Sequence, residues 1–164
     1  MSYASFGRVD VYLKSNVYQI TTYRRDVSYD FKRMPKIEYV NNLLEDLKRR
    51  DFVINTLAID SNGIYVDLLD ARTDLNNKII RTVKNPGESI AEDPLRILRA
   101  IRFSLKLGFE IDTELSKVMH EKAHTIFNVS SNKVKDEVSK ILLINESKSK
   151  ELLKEYNLSK LANL

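Results

Sequence analysis

Cysteine is absent from this chain of 164 residues, and histidine and glycine are scarce. The absence of cysteine excludes disulfide bonds, thiolate zinc sites and a cysteine nucleophile. The four glycines are too widely spaced for a P-loop or a dinucleotide-binding turn. His120 and His124 stand four residues apart, but no third ligand accompanies them. Such a pair is more typical of a helix surface than of a metal site.

An Asp-x-Asp pair, which a two-metal site for phosphoryl transfer would be expected to show, is also absent. Asp112 and Glu114 have this spacing, but they stand at a predicted helix start, where capping explains them better. Asp67 and Asp70 are three residues apart, so they cannot share one face of a strand. We therefore expect neither metal ligands nor catalytic carboxylates in this chain.

Long apolar runs are missing as well, since none approaches the roughly 20 residues of a membrane span. The N-terminus lacks the basic-then-apolar pattern of a secretory signal. We expect no membrane partner and a cytoplasmic location. The 27 basic and 23 acidic residues give a net charge of +4, which is too small by itself to indicate a nucleic-acid partner.

Hydrophobic periodicity divides the chain into a strand-rich part and a helical part. Val9, Val11 and Leu13 alternate with polar residues, which predicts a strand, and a short helix is expected between residues 40 and 47. Residues 24–36 are charged and aromatic, which favours a loop. A long helix is expected to begin at Asp93 and to end at Gly108. The predicted fold is α+β, with an incomplete sheet and a short helix in residues 1–86 and three to four helices in residues 87–164.

A polar stripe on the long helix is the first candidate site. Asp93, Arg96, Arg99 and Arg102 recur every three residues, so they drift slowly round the helix. A carboxylate accepts from an exocyclic amino group, and a guanidinium donates to the ring nitrogen or carbonyl beside it. Cytosine and adenine both offer an amino donor beside a ring-nitrogen acceptor. The alternative is that Asp93 caps the helix and that the arginines are surface residues paired with acids.

A second candidate site follows the short helix. Arg50, Asp51 and Asn55 are suited to ribose hydroxyls and phosphates. The alternative is that the basic residues 48–50 only oppose the dipole at the C-terminal end of the helix.

Five motifs, in this order and spacing, resemble those of the bacterial tRNA nucleotidyltransferase (CCA-adding enzyme) and poly(A) polymerase family. They comprise residues 49–52 with Asn55, 67–71, 74–81, 92–96 and 99–103. The likeness extends from about residue 6 to about residue 109, with a weaker helical continuation. It implies a nucleotidyltransferase head in residues 1–86 and a helical neck in residues 87–164.

The resemblance also implies an activity and residue roles. The family adds C and A, or A only, to RNA 3′ ends with Mg²⁺, so ATP, CTP and a tRNA or other RNA 3′ end are the implied partners. Asp93 and Arg96 fall on the positions that read the incoming base. Arg50, Arg99 and Arg102 fall on positions that contact the nucleotide. Asp51 and Asn55 lie in the motif linked to ribose recognition.

The chain departs from the family at its start, because the Gly-Gly-x-Val-Arg-Asp and Asp-x-Asp segments belong upstream of residues 8–13. The resemblance therefore implies a fragment without the metal-binding segment and the tRNA-binding body, inactive alone, to which a separate chain could supply the missing head segment. Such a fragment would expose strand 8–13 and is expected to be poorly soluble or oligomeric. The alternatives are a poly(A) polymerase fragment, a non-enzymatic nucleotide- or RNA-binding module, and a non-functional remnant.

Overall fold

A computed structural model describes residues 7–29 and 35–163. The chain divides into two compact units, Met1–Arg49 and Arg50–Leu164. The division into a head (1–86) and a neck (87–164) follows the family motifs rather than compactness, and it stays a prediction.

The first unit consists of two antiparallel hairpins and a short helix. Strand β1 (Arg8–Leu13) pairs with β2 (Asn16–Thr21), and β3 (Arg24–Tyr29) pairs with β4 (Pro35–Tyr39). Helix α1 (Leu43–Lys48) begins after Asn42, whose side chain accepts a hydrogen bond from the Leu44 N–H at 2.8 Å. Such a cap satisfies an otherwise unpaired donor at the helix start.

The prediction of a loop over residues 24–36 is wrong for 24–29 and 35–36, and the rest of that range lies outside the described residues. Pairing across the hairpin explains the strands. Arg25 stands opposite Glu38 and donates two hydrogen bonds to its carboxylate, at 2.7 and 3.0 Å. Opposite charges that face each other across strands stabilise the ladder, although each residue alone is typical of a loop.

One face of the first hairpin is apolar and exposed. Directly opposed residues in an antiparallel pair lie on the same face, and the register sets Val9 opposite Ile20 and Val11 opposite Tyr18. Leu13 continues this row because side chains alternate along a strand. These five side chains, which we call the apolar ribbon face, are 40% to 61% exposed.

The second unit begins with short strands and ends with helices. Its strands are β5 (Ala58–Ile59), β6 (Tyr65–Val66), β7 (Ile79–Ile80) and β8 (Glu110–Ile111), and its helices are α2 (Ala71–Asn77), α3 (Pro86–Glu92), α4 (Leu95–Leu107), α5 (Thr113–Lys122), α6 (Ser131–Leu142) and α7 (Glu146–Glu155). Strands β5 and β6 are antiparallel, whereas β7 and β8 are parallel. Three 3₁₀ turns, Val53–Asn55, Ala123–Asn128 and Ser159–Asn163, complete the unit. The predicted α+β fold is confirmed.

Two local features differ in detail from the sequence prediction. Helix α3 was not expected, but Asn85 caps it by accepting from the Gly87 N–H at 2.9 Å, and Pro86 occupies the first turn, where its missing N–H costs nothing. Helix α4 starts at Leu95, two residues after the expected cap. Its predicted end at Gly108 is confirmed, since that glycine adopts a left-handed φ of 67°.

Helix α4 lies at the centre of the core of the second unit. Ile97, Leu98 and Ile101 are fully buried, and they belong to one hydrophobic cluster with Leu115 and Met119 of α5. Full burial of one such side chain contributes about 1.5–3 kcal/mol. The packing of these apolar side chains therefore sets the position of α4. It thereby also fixes where the polar residues of α4 lie. Among the described residues, no helix is both long enough and apolar enough to cross a membrane.

Candidate functional site

The two candidate sites meet at Asp51. Its Oδ1 accepts hydrogen bonds from Asn55 Nδ2 and from the Phe52 N–H, each at 2.9 Å. Its Oδ2 accepts from Arg99 Nε at 2.7 Å and from Arg99 Nη2 at 2.5 Å. Arg50 joins the group by donating from Nη1 to the Asn55 carbonyl at 3.0 Å. We call Arg50, Asp51, Asn55 and Arg99 the Asp51 cluster.

Local structure places these side chains together. The 3₁₀ turn Val53–Asn55 brings Asn55 back over Asp51, four residues earlier. Phe52 is fully buried and contacts Phe103 of α4 edge-to-face, with ring centroids 5.7 Å apart. An aromatic pair in this geometry stabilises beyond the area that it buries. The segment is therefore anchored to α4, and Arg99, one helical turn before Phe103, lies within reach of the Asp51 carboxylate.

The Asp51 carboxyl is held in its charged form. Burial alone would raise its pKa, but the positive charge of Arg99 and the hydrogen bonds from Asn55, Arg99 and the Phe52 N–H outweigh burial and keep the pKa below its ordinary value. At neutral pH the cluster is therefore a salt bridge between an ionised carboxylate and a guanidinium.

Arg102 is bound to a different acid. Its Nε donates to the carboxylate of Glu137 on α6, and its guanidinium lies 4.5 Å from the Phe103 ring centroid. Glu137 is buried, and sequence reasoning missed it. A signal was present, because Glu137 follows Val134 by three residues and precedes Ile141 by four on the apolar face of α6. An acid on such a face needs a basic partner.

Asp93 and Arg96 both bond to Ser89, in the last turn of α3. Arg96 is only 6% exposed, and its Nη1 donates to Ser89 Oγ at 2.7 Å, to the Ser89 carbonyl at 3.3 Å and to Glu92 Oε2 at 3.3 Å. Lys84 Nζ donates to the other oxygen of Glu92. Asp93 donates its N–H to the Ser89 carbonyl at 3.2 Å and accepts from the Leu95 N–H at 3.1 Å.

The stripe is thus divided among three acidic partners: Glu92 holds Arg96, Asp51 holds Arg99 and Glu137 holds Arg102. These contacts include the capping and ion pairing that the alternative interpretation expected. The roles of the predicted nucleotide-binding residues in binding stay predictions.

Sequence reasoning also missed a buried acid in the first unit. Asp46 accepts from Arg49 Nε at 3.0 Å and Nη2 at 2.7 Å, and from the Arg24 N–H at 3.2 Å. It thereby joins α1 to the start of β3. Its place between Leu44 and Leu47 is shared by Glu45, which is not buried, so the local sequence did not distinguish the two acids.

Within the described ranges, no group of three or more histidine, aspartate or glutamate side chains could hold a metal ion. The oxygens of Asp51 accept from N–H donors and a guanidinium, which are groups that oppose cation binding. His120 stacks on Tyr156, with ring centroids 4.5 Å apart. The described residues therefore do not fit the Mg²⁺ that the resemblance implies.

Comparisons with known proteins identify the family. A family described as "Poly A polymerase head domain" matches residues 1–81. The CCA-adding enzyme of Ligilactobacillus salivarius is 41% identical over 138 residues, which cover 84% of this chain and 34% of that protein. The CCA-adding enzyme of Streptococcus gordonii is likewise 41% identical over 138 residues, covering 84% of this chain and 35% of that protein.

Solved structures extend the likeness to the helical part. The crystal structure of the Bacillus stearothermophilus CCA-adding enzyme in complex with CTP has a TM-score of 0.79 and 31% identity, covering 93% of this chain and 37% of that one. The head-domain match and the 41% identity along 84% of the chain confirm the resemblance to CCA-adding tRNA nucleotidyltransferases and poly(A) polymerases that the five motifs predicted. It spans about a third of the length of the curated relatives that it matches.

Proposed function

We propose that this chain is the nucleotide-selecting part of a CCA-adding tRNA nucleotidyltransferase, in which Asp93 and Arg96 read the base of incoming CTP or ATP. The observation that carries the proposal is the shared anchor of these two residues. The Ser89 carbonyl accepts both from the Asp93 N–H and from Arg96 Nη1. One carbonyl therefore anchors both the backbone that carries the Asp93 carboxylate and the guanidinium of Arg96, just before the start of α4.

This arrangement suits two bases and disfavours the other two. The Asp93 carboxylate would accept from the amino group of cytosine or adenine, while Arg96 donates to the acceptor beside it. Uracil and guanine do not present this pair of groups at that edge. The ligands of two similar proteins support this assignment. The Bacillus stearothermophilus CCA-adding enzyme was solved with CTP. A tRNA nucleotidyltransferase that is 26% identical, with a TM-score of 0.80, was solved with a primer tRNA and an incoming ATP analogue.

The Asp51 cluster and Arg102 would receive the rest of the nucleotide. Arg99 is one-third exposed beside Asp51, so an incoming phosphate could share its fork of donors with the carboxylate. We assign Asp51 and Asn55 to the support of ribose binding, and Arg50, Arg99 and Arg102 to nucleotide contacts.

We further propose that a separate polypeptide supplies the Mg²⁺ ligands and covers the apolar ribbon face. The chemistry of nucleotidyl transfer requires metal-bound phosphate oxygens, and the described residues do not fit such a site. Five apolar side chains exposed together are typical of an interaction surface. The acceptor in this proposal is the 3′ end of a tRNA, and the location is cytoplasmic.

A nucleotide-incorporation assay tests the proposed function. Purified chain is incubated with Mg²⁺, labelled CTP or ATP, and a tRNA that lacks its 3′ CCA. We expect no extension by the chain alone, and extension by C and then A once a polypeptide with the metal-binding head segment is added. Extension by the chain alone would show that its own carboxylates hold the metals. Addition of A only, to any RNA end, would favour the poly(A) polymerase alternative that the family description suggests.

A further inference from the structure

We infer that Ser89 is a positioning residue for base selection, because its hydroxyl fixes the orientation of the Arg96 guanidinium. This inference rests on the proposed base-reading role of Arg96. Ser89 is fully buried in the last turn of α3. Arg96 Nη1 lies 2.7 Å from the Ser89 hydroxyl oxygen, to which it donates, whereas the Ser89 carbonyl and Glu92 Oε2, which also accept from it, both lie at 3.3 Å.

The three acceptors differ in what they can fix. Glu92 supplies a negative charge, but its carboxylate also accepts from Lys84 Nζ. The position of this carboxylate therefore depends on both cations. The Ser89 carbonyl is already engaged by the Asp93 N–H, which makes its bond to Arg96 a second and longer one. The hydroxyl is a fully buried acceptor at the shortest of these distances, and hydrogen-bond strength falls steeply as geometry degrades. It therefore determines which edge of the guanidinium faces the base.

Base discrimination depends on that orientation more than affinity does. A guanidinium that rotates can still attract a triphosphate by charge, but it no longer matches one base edge in preference to another. Loss of the Ser89 hydroxyl should therefore reduce selectivity between CTP and UTP, and between ATP and GTP. It should leave much of the overall affinity for triphosphates intact.

The test compares Ser89→Ala with Ser149→Ala in the full chain. Ser149 of α7 is an equally buried serine, and its hydroxyl donates to the Ile141 carbonyl of α6 at 2.8 Å. The first measurement is nitrogen-15 NMR of the Arg96 guanidinium without nucleotide. We expect restricted rotation in the wild type and in Ser149→Ala, and faster averaging in Ser89→Ala. Equal restriction in Ser89→Ala, or equal loss in Ser149→Ala, would overturn the inference.

The second measurement is binding of CTP, UTP, ATP and GTP by calorimetry. We expect Ser89→Ala to lower the CTP-to-UTP affinity ratio about fivefold, the scale of one hydrogen bond, while Ser149→Ala retains the wild-type ratio. Unchanged selectivity in Ser89→Ala would overturn the inference while leaving the proposed function intact. A wild type without base preference would instead contradict the proposed function, and the NMR result would still decide whether Ser89 positions Arg96.

Discussion

The first and second units differ in where they place their apolar side chains. In the first unit, among the residues whose burial is described, Leu47 is the buried apolar side chain, and the apolar ribbon face is exposed. In the second unit, α3 to α7 enclose a continuous cluster of fully buried aliphatic residues. Because burial of apolar area is the main stabilising contribution to folding, the second unit has the core of a self-sufficient domain. The first unit has a surface that suits a partner.

The two units should differ most in the free energy of unfolding that a leucine-to-alanine substitution costs. Leu98→Ala removes a fully buried side chain from α4, and we expect it to lower the free energy of unfolding by about 2–5 kcal/mol. Leu13→Ala removes a side chain that is 59% exposed, and we expect a change within about 0.5 kcal/mol. Urea unfolding followed by circular dichroism measures both. Equal costs would contradict the contrast between the units.

Removing one charge from an ion pair should likewise cost more stability in the second unit than in the first. Asp51→Asn leaves Arg99 without its anionic partner in the second unit. We expect a loss of about 2–3 kcal/mol at pH 7, less than the roughly 3–5 kcal/mol of a fully buried pair, because Arg99 is partly exposed. Asp10→Asn disturbs a partly exposed pair between neighbours on one strand, Arg8 and Asp10 of the first unit, and we expect a smaller loss than for Asp51→Asn. Urea unfolding of both variants at pH 7 decides this.

The cost of Asp51→Asn should also depend on pH. The pKa of Asp51 is lowered in the folded chain, so the folded state binds fewer protons than the unfolded state between the two pKa values. Its stabilisation is complete above the unfolded value of about 3.9 and disappears as the pH falls through the lower folded value. The difference between wild type and Asp51→Asn should therefore be constant from pH 7 to pH 5 and shrink below about pH 4. A difference that grew on acidification would contradict this assignment.

Substitutions on the apolar ribbon face should have the smallest effect on stability. They should nevertheless change self-association measurably. Val9 and Ile20 are directly opposed on it. Val9→Glu with Ile20→Lys places a charged pair on the face and keeps a favourable cross-strand contact. We expect the wild-type chain to self-associate in light scattering, and this double variant to shift toward the monomer. A wild type that is already a stable monomer would show that exposure of this face has no such consequence.

Local patterns in the sequence predicted more of the second unit than of the first. The apolar spacing of Leu98 and Ile101 was sufficient to predict α4, because residues at this spacing form one apolar face of a helix, which packs against the core. The strands at 24–29 and 35–39 were missed because their stabilising contact, Arg25 with Glu38, joins residues on different strands.

The candidate site was predictable as residues but not as a cluster. Asp51 and Arg99 were each singled out, yet the bond between them joins residues 48 positions apart. Ser89 and Glu137 were not singled out, because a buried serine or glutamate is recognisable only through its partner. These partners, Arg96 and Arg102, are seven and 35 residues away.

Base reading by Asp93 and Arg96 is the central claim, and equilibrium binding of CTP, ATP, UTP and GTP to the chain tests it most directly. We predict that CTP and ATP bind more tightly than UTP and GTP. Arg96→Ala and Asp93→Ala should each weaken CTP and ATP binding by about 1–3 kcal/mol, while Arg72→Ala, an exposed arginine near Tyr65, should not. Equal affinity of the wild type for all four nucleotides, or unchanged affinity in a folded Arg96→Ala variant, would contradict the account and leave both residues as helix-capping and structural groups.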